Sequence, residues 1–142
     1  MRAVVSLGSN IEPRAAYLER ALAALSSFPD TTLVRASSVI ETEPVDVPKA
    51  FERQKFLNQV ALFETNLDAF EFSRRMHRIE DDLDRVRTIR NGPRTIDIDL
   101  IDFGGQVIKT PELTLPHPRA KERDFVMKPL FEIDPLRKFP EI

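Results

Sequence analysis

The sequence predicts an α+β fold in a single domain spanning residues 1–142, because segments of strand character alternate with amphipathic helical segments along the chain. Two stretches repeat apolar residues at helical spacing, and the others are short, apolar and rich in β-branched residues. The predicted order is β-α-β-β-α-β, followed by a hairpin and a short helix. That order is typical of the ferredoxin-like class, an antiparallel sheet with helices packed on one face.

The first half of the chain predicts a strand, a helix and a second strand. Residues 3–7 form an apolar run that closes at Gly8-Ser9-Asn10, which we expect to be a strand-to-helix turn with a Ser or Asn cap. The alternating residues 31–40 predict the second strand. Between them, apolar residues at helical spacing predict a helix: Tyr17, Leu18, Ala21, Leu22 and Leu25.

The second half repeats this pattern between two predicted loops, residues 43–55 and residues 85–94. Residues 56–65 and 95–103 predict strands, and Asp68 offers a cap for the helix between them. The apolar face of that helix is Phe72, Met76, Ile79 and Leu83. Beyond the last strand we expect a hairpin turn at Gly104-Gly105 into residues 106–108, a short helix within 121–127 and a proline-broken tail over 129–142.

Composition excludes several classes of protein. Lys and Arg number 21 against 23 Asp and Glu, and a net charge of −2 argues against a nucleic-acid or membrane-surface binder. The chain has no cysteine, which excludes disulfide scaffolds, zinc-thiolate sites and cysteine nucleophiles. No apolar run approaches the ~20 residues of a membrane span. We therefore expect a cytoplasmic protein.

The predicted strand over residues 95–103 carries two carboxylates on one face. Side chains alternate with period two, so Asp97 and Asp99 point the same way with Cα atoms about 6.5–7 Å apart. The residues that would face the core are Ile96, Ile98 and Leu100. Because like charges this close repel unless a cation lies between them, the pair favours a metal site over a merely wet strand face.

The predicted loop just upstream holds four arginines in ten residues: Arg85, Arg87, Arg90 and Arg94. Arginines beside a carboxylate pair suit a polyphosphate with bound Mg²⁺, since carboxylates hold the metal and guanidinium groups neutralise phosphate charge. A solvated basic loop paired with neighbouring acids is the alternative. No glycine-rich phosphate loop is present, so side chains must hold any nucleotide.

Three other polar residues bear on a site. His77 lies on a predicted helix, where we expect a structural role. His117 lies between two prolines that restrict its backbone, and a ligand role stays open for it. Asn58, if buried in its strand, needs partners for its amide, and a flat ligand with an amide-like edge would provide them.

The run GPRTIDIDL at residues 92–100 closely resembles the signature of the hydroxymethyldihydropterin pyrophosphokinase family. Further matching landmarks follow in the family's order across nearly the whole chain: LGSN at 7–10, ETEP at 41–44, FLN at 56–58, RIE at 78–80, LPHP at 115–118, RDF at 123–125 and PLFEI at 129–133. The resemblance implies that the chain transfers a pyrophosphoryl group from ATP to 6-hydroxymethyl-7,8-dihydropterin in folate biosynthesis. It also implies a monomer acting on small molecules, without a nucleic-acid or membrane partner.

The resemblance further implies residue roles. Asp97 and Asp99 would hold two Mg²⁺ ions, and Arg85 and Arg94 would stabilise the charge on the transferring phosphate. The residues that would bind ATP are Glu80, Arg87, Arg90, Ile98, Thr114, His117 and Arg123. Those that would bind the pterin are Gly8, Thr42, Pro44, Val45, Phe56, Asn58 and Phe125.

The sequence leaves three alternative functions to consider. A ferredoxin-like sheet also serves RNA-binding modules, but the aromatic pair expected on their central strands is not evident here. A small-molecule sensor domain gives no reason for four arginines beside two aspartates. A divergent family member is a further alternative, acting on another pterin or inactive because Asn91 stands where well-known members carry Trp.

Overall fold

The structure, a computed structural model, describes residues 1–43, 55–84 and 95–140, and within them it is a mixed α/β fold with an antiparallel sheet and three α-helices. The elements in chain order are β1 (Arg2–Ser9), α1 (Arg14–Ser26), β2 (Thr31–Ala36), β3 (Ile40–Thr42), β4 (Phe56–Thr65), α2 (Ala69–Asp84), β5 (Asp97–Phe103), β6 (Ile108–Lys109), β7 (Thr114–Leu115) and α3 (Asp124–Ile133). A single 3-10 turn, Ala120–Glu122, precedes α3. None of these helices combines the length and the apolar character that crossing a membrane requires.

The main sheet has five strands, with β2, β4, β1 and β5 side by side in that order and β3 paired with the beginning of β4. Each of these pairings is antiparallel. β1 lies between β4 and β5, and every residue from Ala3 to Ser9 is buried. A strand buried this fully fixes the register of its two neighbours, since a one-residue slip would turn its apolar side chains away from the core.

Helices cover both faces of the sheet. On one face, α1 and α2 pack against alternate residues of β1 and β4 such as Leu7 and Phe63. Phe72 of α2 lies at the middle of this core, with ring centroids 5.3 Å from Phe28 and 5.9 Å from Phe103. On the other face, α3 packs against a second set of residues: Val4, Val60, Leu62 and Ile101.

The predicted second helix is confirmed in its cap and in its apolar face. Asp68 Oδ1 accepts a hydrogen bond from the Glu71 backbone N–H at 2.8 Å, which satisfies one of the free N–H groups of the first turn. Phe72, Met76 and Ile79 are buried as the spacing predicts, and Leu83 packs against the same core. The three residues expected to face the core from the last strand are also buried: Ile96, Ile98 and Leu100.

The predicted turn at Gly8-Ser9-Asn10 is wrong, because β1 continues through Ser9. Neither Ser9 nor Asn10 caps α1, whose N-terminus has no side-chain cap. Instead, Ser9 Oγ donates to the Thr95 carbonyl oxygen at 2.5 Å, with both residues fully buried. The strand persists because Gly8 still pairs with residues on both neighbouring strands.

The predicted strand over residues 31–40 is in fact two strands. β2 ends at Ala36, and Ser37 then exchanges two hydrogen bonds with Val60: its backbone N–H donates to the Val60 carbonyl at 2.8 Å, and its Oγ accepts the Val60 N–H at 2.9 Å. Because the Ser37 hydroxyl takes the place of a backbone acceptor, the ladder is interrupted before β3 begins at Ile40.

Two further expectations need correction after β5. Gly104 and Gly105 form the predicted turn with positive φ angles, but the strand that follows, β6, pairs with β7 and not with β5. The last helix begins at Asp124 and runs through Pro129, so the tail is not broken there. The reason is burial, since Val126, Pro129 and Leu130 of α3 are all buried on the helix side that faces the sheet.

A buried ion pair fastens the segment after α3 to β5. Asp102 is completely buried, and Arg137 Nη1 lies 2.7 Å from its Oδ2. The Arg137 Nε also donates to Asp134 at 2.7 Å. Burial raises the pKa of the Asp102 carboxyl, and the Arg137 guanidinium opposes that rise.

We expect Arg137→Ala to lower the free energy of unfolding by about 3 kcal/mol at pH 7, because it leaves the Asp102 carboxylate buried without a counter-charge. The pKa of Asp102 is already above its usual range in the folded protein and would rise further, so the folded state would take up a proton before the unfolded one. The difference in the free energy of unfolding between wild type and Arg137→Ala should therefore shrink as the pH falls from 7 towards 5.

Urea denaturation across this pH range measures the effect. Arg74→Ala is the matched control, because Arg74 pairs with Glu71 and Glu112 at half-exposed positions, where ion pairs contribute about 0–1 kcal/mol. A deficit for Arg137→Ala no larger than that of the control would contradict the assignment of a buried pair.

Candidate active site

A row of residues across β4, β1 and β5 forms the floor of the site. Gly8 on β1 is paired with Asn58 of β4 on one side and with Asp97 of β5 on the other. Directly opposed residues in antiparallel strands point to the same face, so the Asn58 and Asp97 side chains flank a position that has no side chain. Two residues earlier on β1, Ser6 lies opposite Asp99 on the same face.

This floor opens into a cavity of about 950 Å³ on the sheet face opposite α1 and α2, beside the beginning of α3. The described residues that line it are Ser6, Gly8, Thr42, Glu43, Phe56, Asn58, His77, Glu80, Asp81, Asp97, Ile98, Asp99, Arg119, Glu122, Arg123, Asp124 and Phe125. Carboxylates are frequent among them, so the described part of the wall favours cationic or cation-bound ligands.

One end of the cavity combines a buried amide with aromatic rings. Asn58 is only 4% exposed, and its Nδ2 donates to Thr42 Oγ1 on β3 at 2.5 Å. A Cβ on Gly8 would lie 2.9 Å from Asn58 Oδ1 and 3.6 Å from the Phe56 ring, so any larger residue here would displace the Asn58 amide. With Phe56 and Phe125 in its wall, this end suits a flat heteroaromatic ligand with hydrogen-bonding edges.

The other end carries the two aspartates. The Asp99 carboxylate lies 3.8 Å from Arg123 Nη1 and 3.9 Å from His117 Nε2, which are ion-pair distances longer than hydrogen bonds. Within the described ranges no three metal-ligating side chains cluster. Two carboxylates fit Mg²⁺ nevertheless, because this ion commonly takes one or two carboxylates, phosphate oxygens and retained waters.

His117 is held with a defined ring orientation. Its backbone N–H donates to the Ile101 carbonyl at 2.9 Å, and its Nδ1 accepts the Arg119 backbone N–H at 3.2 Å. A neutral ring that accepts at Nδ1 carries its proton on Nε2, the atom that faces Asp99. Burial lowers the pKa of His117, Asp99 opposes this, and Arg123 and Arg119 lower it further. The ring therefore presents a neutral N–H donor at neutral pH.

Glu80 joins the end of α2 to β5. It is 6% exposed, its Oε2 accepts the Ile98 backbone N–H at 3.0 Å, and its Oε1 lies 2.9 Å from His77 Nδ1. β5 is the last strand on its side of the described sheet, so its outward N–H groups need partners outside the ladder. The carboxylate supplies one, which fixes the beginning of β5 next to Asp97.

The structure brings most of the described predicted site residues together. Those that line the cavity are Gly8, Thr42, Phe56, Asn58, Glu80, Asp97, Ile98, Asp99, Arg123 and Phe125. His117 adjoins it through Asp99. Thr114 lies on β7 and is not part of the lining, and its Oγ1 donates to the Thr110 carbonyl at 3.4 Å. The predicted residues Pro44, Val45, Arg85, Arg87, Arg90 and Arg94 lie outside the described residues.

Seven described residues of the cavity lining were not predicted as site residues: Ser6, Glu43, His77, Asp81, Arg119, Glu122 and Asp124. His77, expected to be structural, has a side chain 61% exposed on the cavity wall. Its position three residues before Glu80 on one helix face was the available signal. Ser6 precedes Gly8 by two residues on a strand, which places it on the same face. For Arg119 the available signal was its nearness to His117 along the chain.

Comparisons with known proteins agree on one family. Residues 4–135 match the family described as 7,8-dihydro-6-hydroxymethylpterin-pyrophosphokinase (HPPK). The chain is 41% identical over 131 residues to the 2-amino-4-hydroxy-6-hydroxymethyldihydropteridine pyrophosphokinase of Bacillus subtilis, covering 92% of this chain and 77% of the relative. The enzyme of the same name from Pseudomonas aeruginosa is 34% identical over 140 residues, covering 99% of this chain and 85% of the relative.

Solved structures share the fold. The crystal structure of Plasmodium falciparum HPPK-DHPS with pteroate superposes with a TM-score of 0.74 at 15% identity, covering 97% of this chain and 39% of that one. A second HPPK-DHPS structure, in complex with substrates, gives the same TM-score and identity, with 41% of its chain covered. The chain thus spans about two fifths of these solved proteins, and at this identity the likeness concerns the fold alone.

We expect the His117 imidazole of the ligand-free protein to titrate with a pKa below 6.5, because burial and two neighbouring arginines disfavour its charged form. Asp99→Asn should lower that pKa further, since it removes the carboxylate that favours the charged form. Histidine ring signals followed by NMR through a pH titration test both statements. A pKa above 6.5, or a rise in Asp99→Asn, would contradict the described environment.

Proposed function

The chain belongs to the 7,8-dihydro-6-hydroxymethylpterin-pyrophosphokinase family, and we propose that the cavity over β1, β4 and β5 is its active site. The enzyme transfers the pyrophosphoryl group of ATP to the hydroxymethyl group of 6-hydroxymethyl-7,8-dihydropterin in folate biosynthesis, releasing AMP. The observation that carries the proposed site is the cross-strand row Asn58, Gly8 and Asp97.

This row supports a placement for the pterin. Asn58 and Asp97 are two strands apart, so about 10 Å separates their backbones. A pterin ring whose amide-like edge meets the Asn58 amide lies over Gly8, with its hydroxymethyl group directed towards Asp97. Phe56 and Phe125 then pack on the ring faces, and Thr42 orients the Asn58 amide. We propose Pro44 and Val45 as further pterin contacts.

The opposite end supports the nucleotide. Arg123 and the Nε2–H of His117 supply donors for phosphate oxygens next to Asp99, and Arg119 adds a cation to the wall. Glu80 and Ile98 form the side of this end. We propose nucleotide contacts also for Arg87 and Arg90, and stabilisation of the transferring phosphate by Arg85 and Arg94. Thr114 lies off the cavity lining, and a nucleotide contact for it stays a prediction.

Asp97 and Asp99 would hold Mg²⁺, for which we propose two ions. When bound, the metal neutralises phosphate charge and lowers the pKa of the attacking hydroxyl. The chain's own residues would align the two substrates with each other and exclude water from the site. Because the neutral His117 ring carries its proton on Nε2, it donates a hydrogen bond towards the aspartate end and cannot accept the hydroxymethyl proton there.

The topology supports a ferredoxin-like assignment, since β1, β2, β4 and β5 lie in the order β2-β4-β1-β5 with α1 and α2 on one face. β3, the β6–β7 pair and α3 are additions to it. We further propose that residues 1–142 form a single domain that acts as a monomer in the cytoplasm, the compartment that supplies ATP, on small molecules and without a nucleic-acid or membrane partner.

Product analysis tests the function. The purified chain is incubated with ATP, Mg²⁺ and 6-hydroxymethyl-7,8-dihydropterin, and the products are separated by chromatography. Equal amounts of AMP and pterin diphosphate are expected. ADP in place of AMP would mean single phosphoryl transfer and would contradict the assigned reaction, while pterin binding without turnover would direct attention to Asn91.

We expect Asp97→Asn and Asp99→Asn each to lower kcat by about a thousandfold or more, because each removes a charge that holds metal against the phosphates. Asn has nearly the shape of Asp, so the thermal unfolding midpoint should change little. Asp68→Asn is the control, since Asn also caps a helix and Asp68 lies outside the cavity lining. Normal turnover in either aspartate variant would remove the metal proposal.

Gly8→Ala tests the pterin end separately. The added Cβ would lie 2.9 Å from Asn58 Oδ1 and must displace that amide, so we expect the KM for the dihydropterin to rise by about tenfold or more. The KM for ATP should change less than twofold. Steady-state kinetics with each substrate varied in turn provides the comparison, and an equal rise in both KM values would argue against a pterin site over Gly8.

A further inference from the structure

Arg14, the first residue of α1, connects the two strands that form the Asn58 end of the cavity. Its Nη1 donates to Glu41 Oε2 on β3 at 2.9 Å and to the backbone carbonyl of Lys55, just before β4, at 3.0 Å. Its Nε contacts the Glu12 carboxylate. One guanidinium group therefore holds β3 and the start of β4 against the same helix.

β3 has little support within the sheet. It has only three residues, and within the described sheet its one pairing is with β4, where Thr42 lies opposite Phe56. Thr42 in turn accepts the hydrogen bond that orients the Asn58 amide. A small displacement of β3 would therefore separate Thr42 Oγ1 from Asn58 Nδ2 and change the hydrogen-bonding edge that the cavity presents.

The stability of α1 gives no reason for an arginine at this position. A cation at a helix N-terminus opposes the helix dipole, and the first turn of α1 contains no acidic residue to offset it. The favourable partners lie outside the helix: the hydrogen bond to Glu41 is the main cause that raises the pKa of Arg14, and Glu12 adds to it. The Arg14 side chain is 21% exposed while Glu41 is 46% exposed, so the guanidinium is the more enclosed partner.

We propose that Arg14 is a positioning residue for the dihydropterin: it fixes β3 relative to β4 and so sets the geometry of the Thr42–Asn58 pair. This inference rests on the proposed pterin site at that end of the cavity. Arg14 does not line the cavity, and its effect reaches the ligand through Thr42 and Asn58. It should therefore affect pterin binding and leave the nucleotide end unchanged.

The test compares Arg14→Ala, Arg14→Lys and Arg2→Ala. Arg14→Ala should raise the KM for the dihydropterin about tenfold, the scale of one charge-assisted hydrogen bond, with kcat and the KM for ATP within twofold of wild type. Arg14→Lys keeps a cationic donor for Glu41 and should recover part of the loss. Arg2 forms a comparable Arg–Glu pair with Glu64 at the opposite end of β1 and β4, so Arg2→Ala should change neither KM.

A double-mutant cycle with Glu41→Gln supplies a second measurement. If Arg14 acts through Glu41, the two substitutions together should raise the KM for the dihydropterin by less than the product of their separate effects. Fully multiplicative effects would contradict the connection. Thermal unfolding of each variant monitors the fold independently.

An unchanged pterin KM in Arg14→Ala, or equal rises in the KM for the pterin and for ATP, would overturn the proposal. Calorimetric titration with 6-hydroxymethylpterin measures binding without turnover. A wild type that binds this pterin but forms no AMP would contradict the proposed function, and the same titration on Arg14→Ala would still decide the role of Arg14. A wild type that forms AMP, with equal pterin affinity in both proteins, would overturn the role of Arg14 alone.

Discussion

The pairing of β1 with β4 on one side and β5 on the other is the interaction on which the site depends. It places Gly8 between Asn58 and Asp97, so an amide and a carboxylate face the same cavity from the two strands that flank β1. The register cannot slip, because Val5 and Leu7 of β1 are buried in the core beneath α1 and α2. Core packing on one face thus determines the chemistry available on the other.

The electrostatics of the cavity follow from that arrangement. Asp97 and Asp99 face one way from a single strand, and such a pair repels a polyphosphate unless a cation lies between them. Arg123 Nη1 and the neutral His117 ring lie 3.8 and 3.9 Å from the Asp99 carboxylate, beyond hydrogen-bond distance, so both would be able to contact phosphate. The proposed site would therefore select the metal-bound form of its nucleotide.

The sequence predicted those features of the site and fold that depend on residues close together along the chain. Period-two alternation placed Asp97 and Asp99 on one face, and helical spacing with the Asp68 cap gave α2. The features that were missed depend on residues distant in sequence. Ser9 donates a hydrogen bond to the Thr95 carbonyl, and the Ser37 hydroxyl interrupts the strand pairing at Val60. Burial against the sheet allows α3 to continue past Pro129. The role of Arg14 could not be predicted from the sequence, because its partners Glu41 and Lys55 lie 27 and 41 residues away along the chain.

Binding of a nonhydrolysable ATP analogue, measured by calorimetry with and without Mg²⁺, shows whether Asp97 and Asp99 need a cation to accept the nucleotide. We expect strong Mg²⁺ dependence of nucleotide affinity in the wild type and loss of that dependence in Asp97→Asn and Asp99→Asn, because each variant removes a carboxylate that would hold the cation. Equal affinity with and without Mg²⁺ in the wild type, or unchanged dependence in both variants, would contradict it.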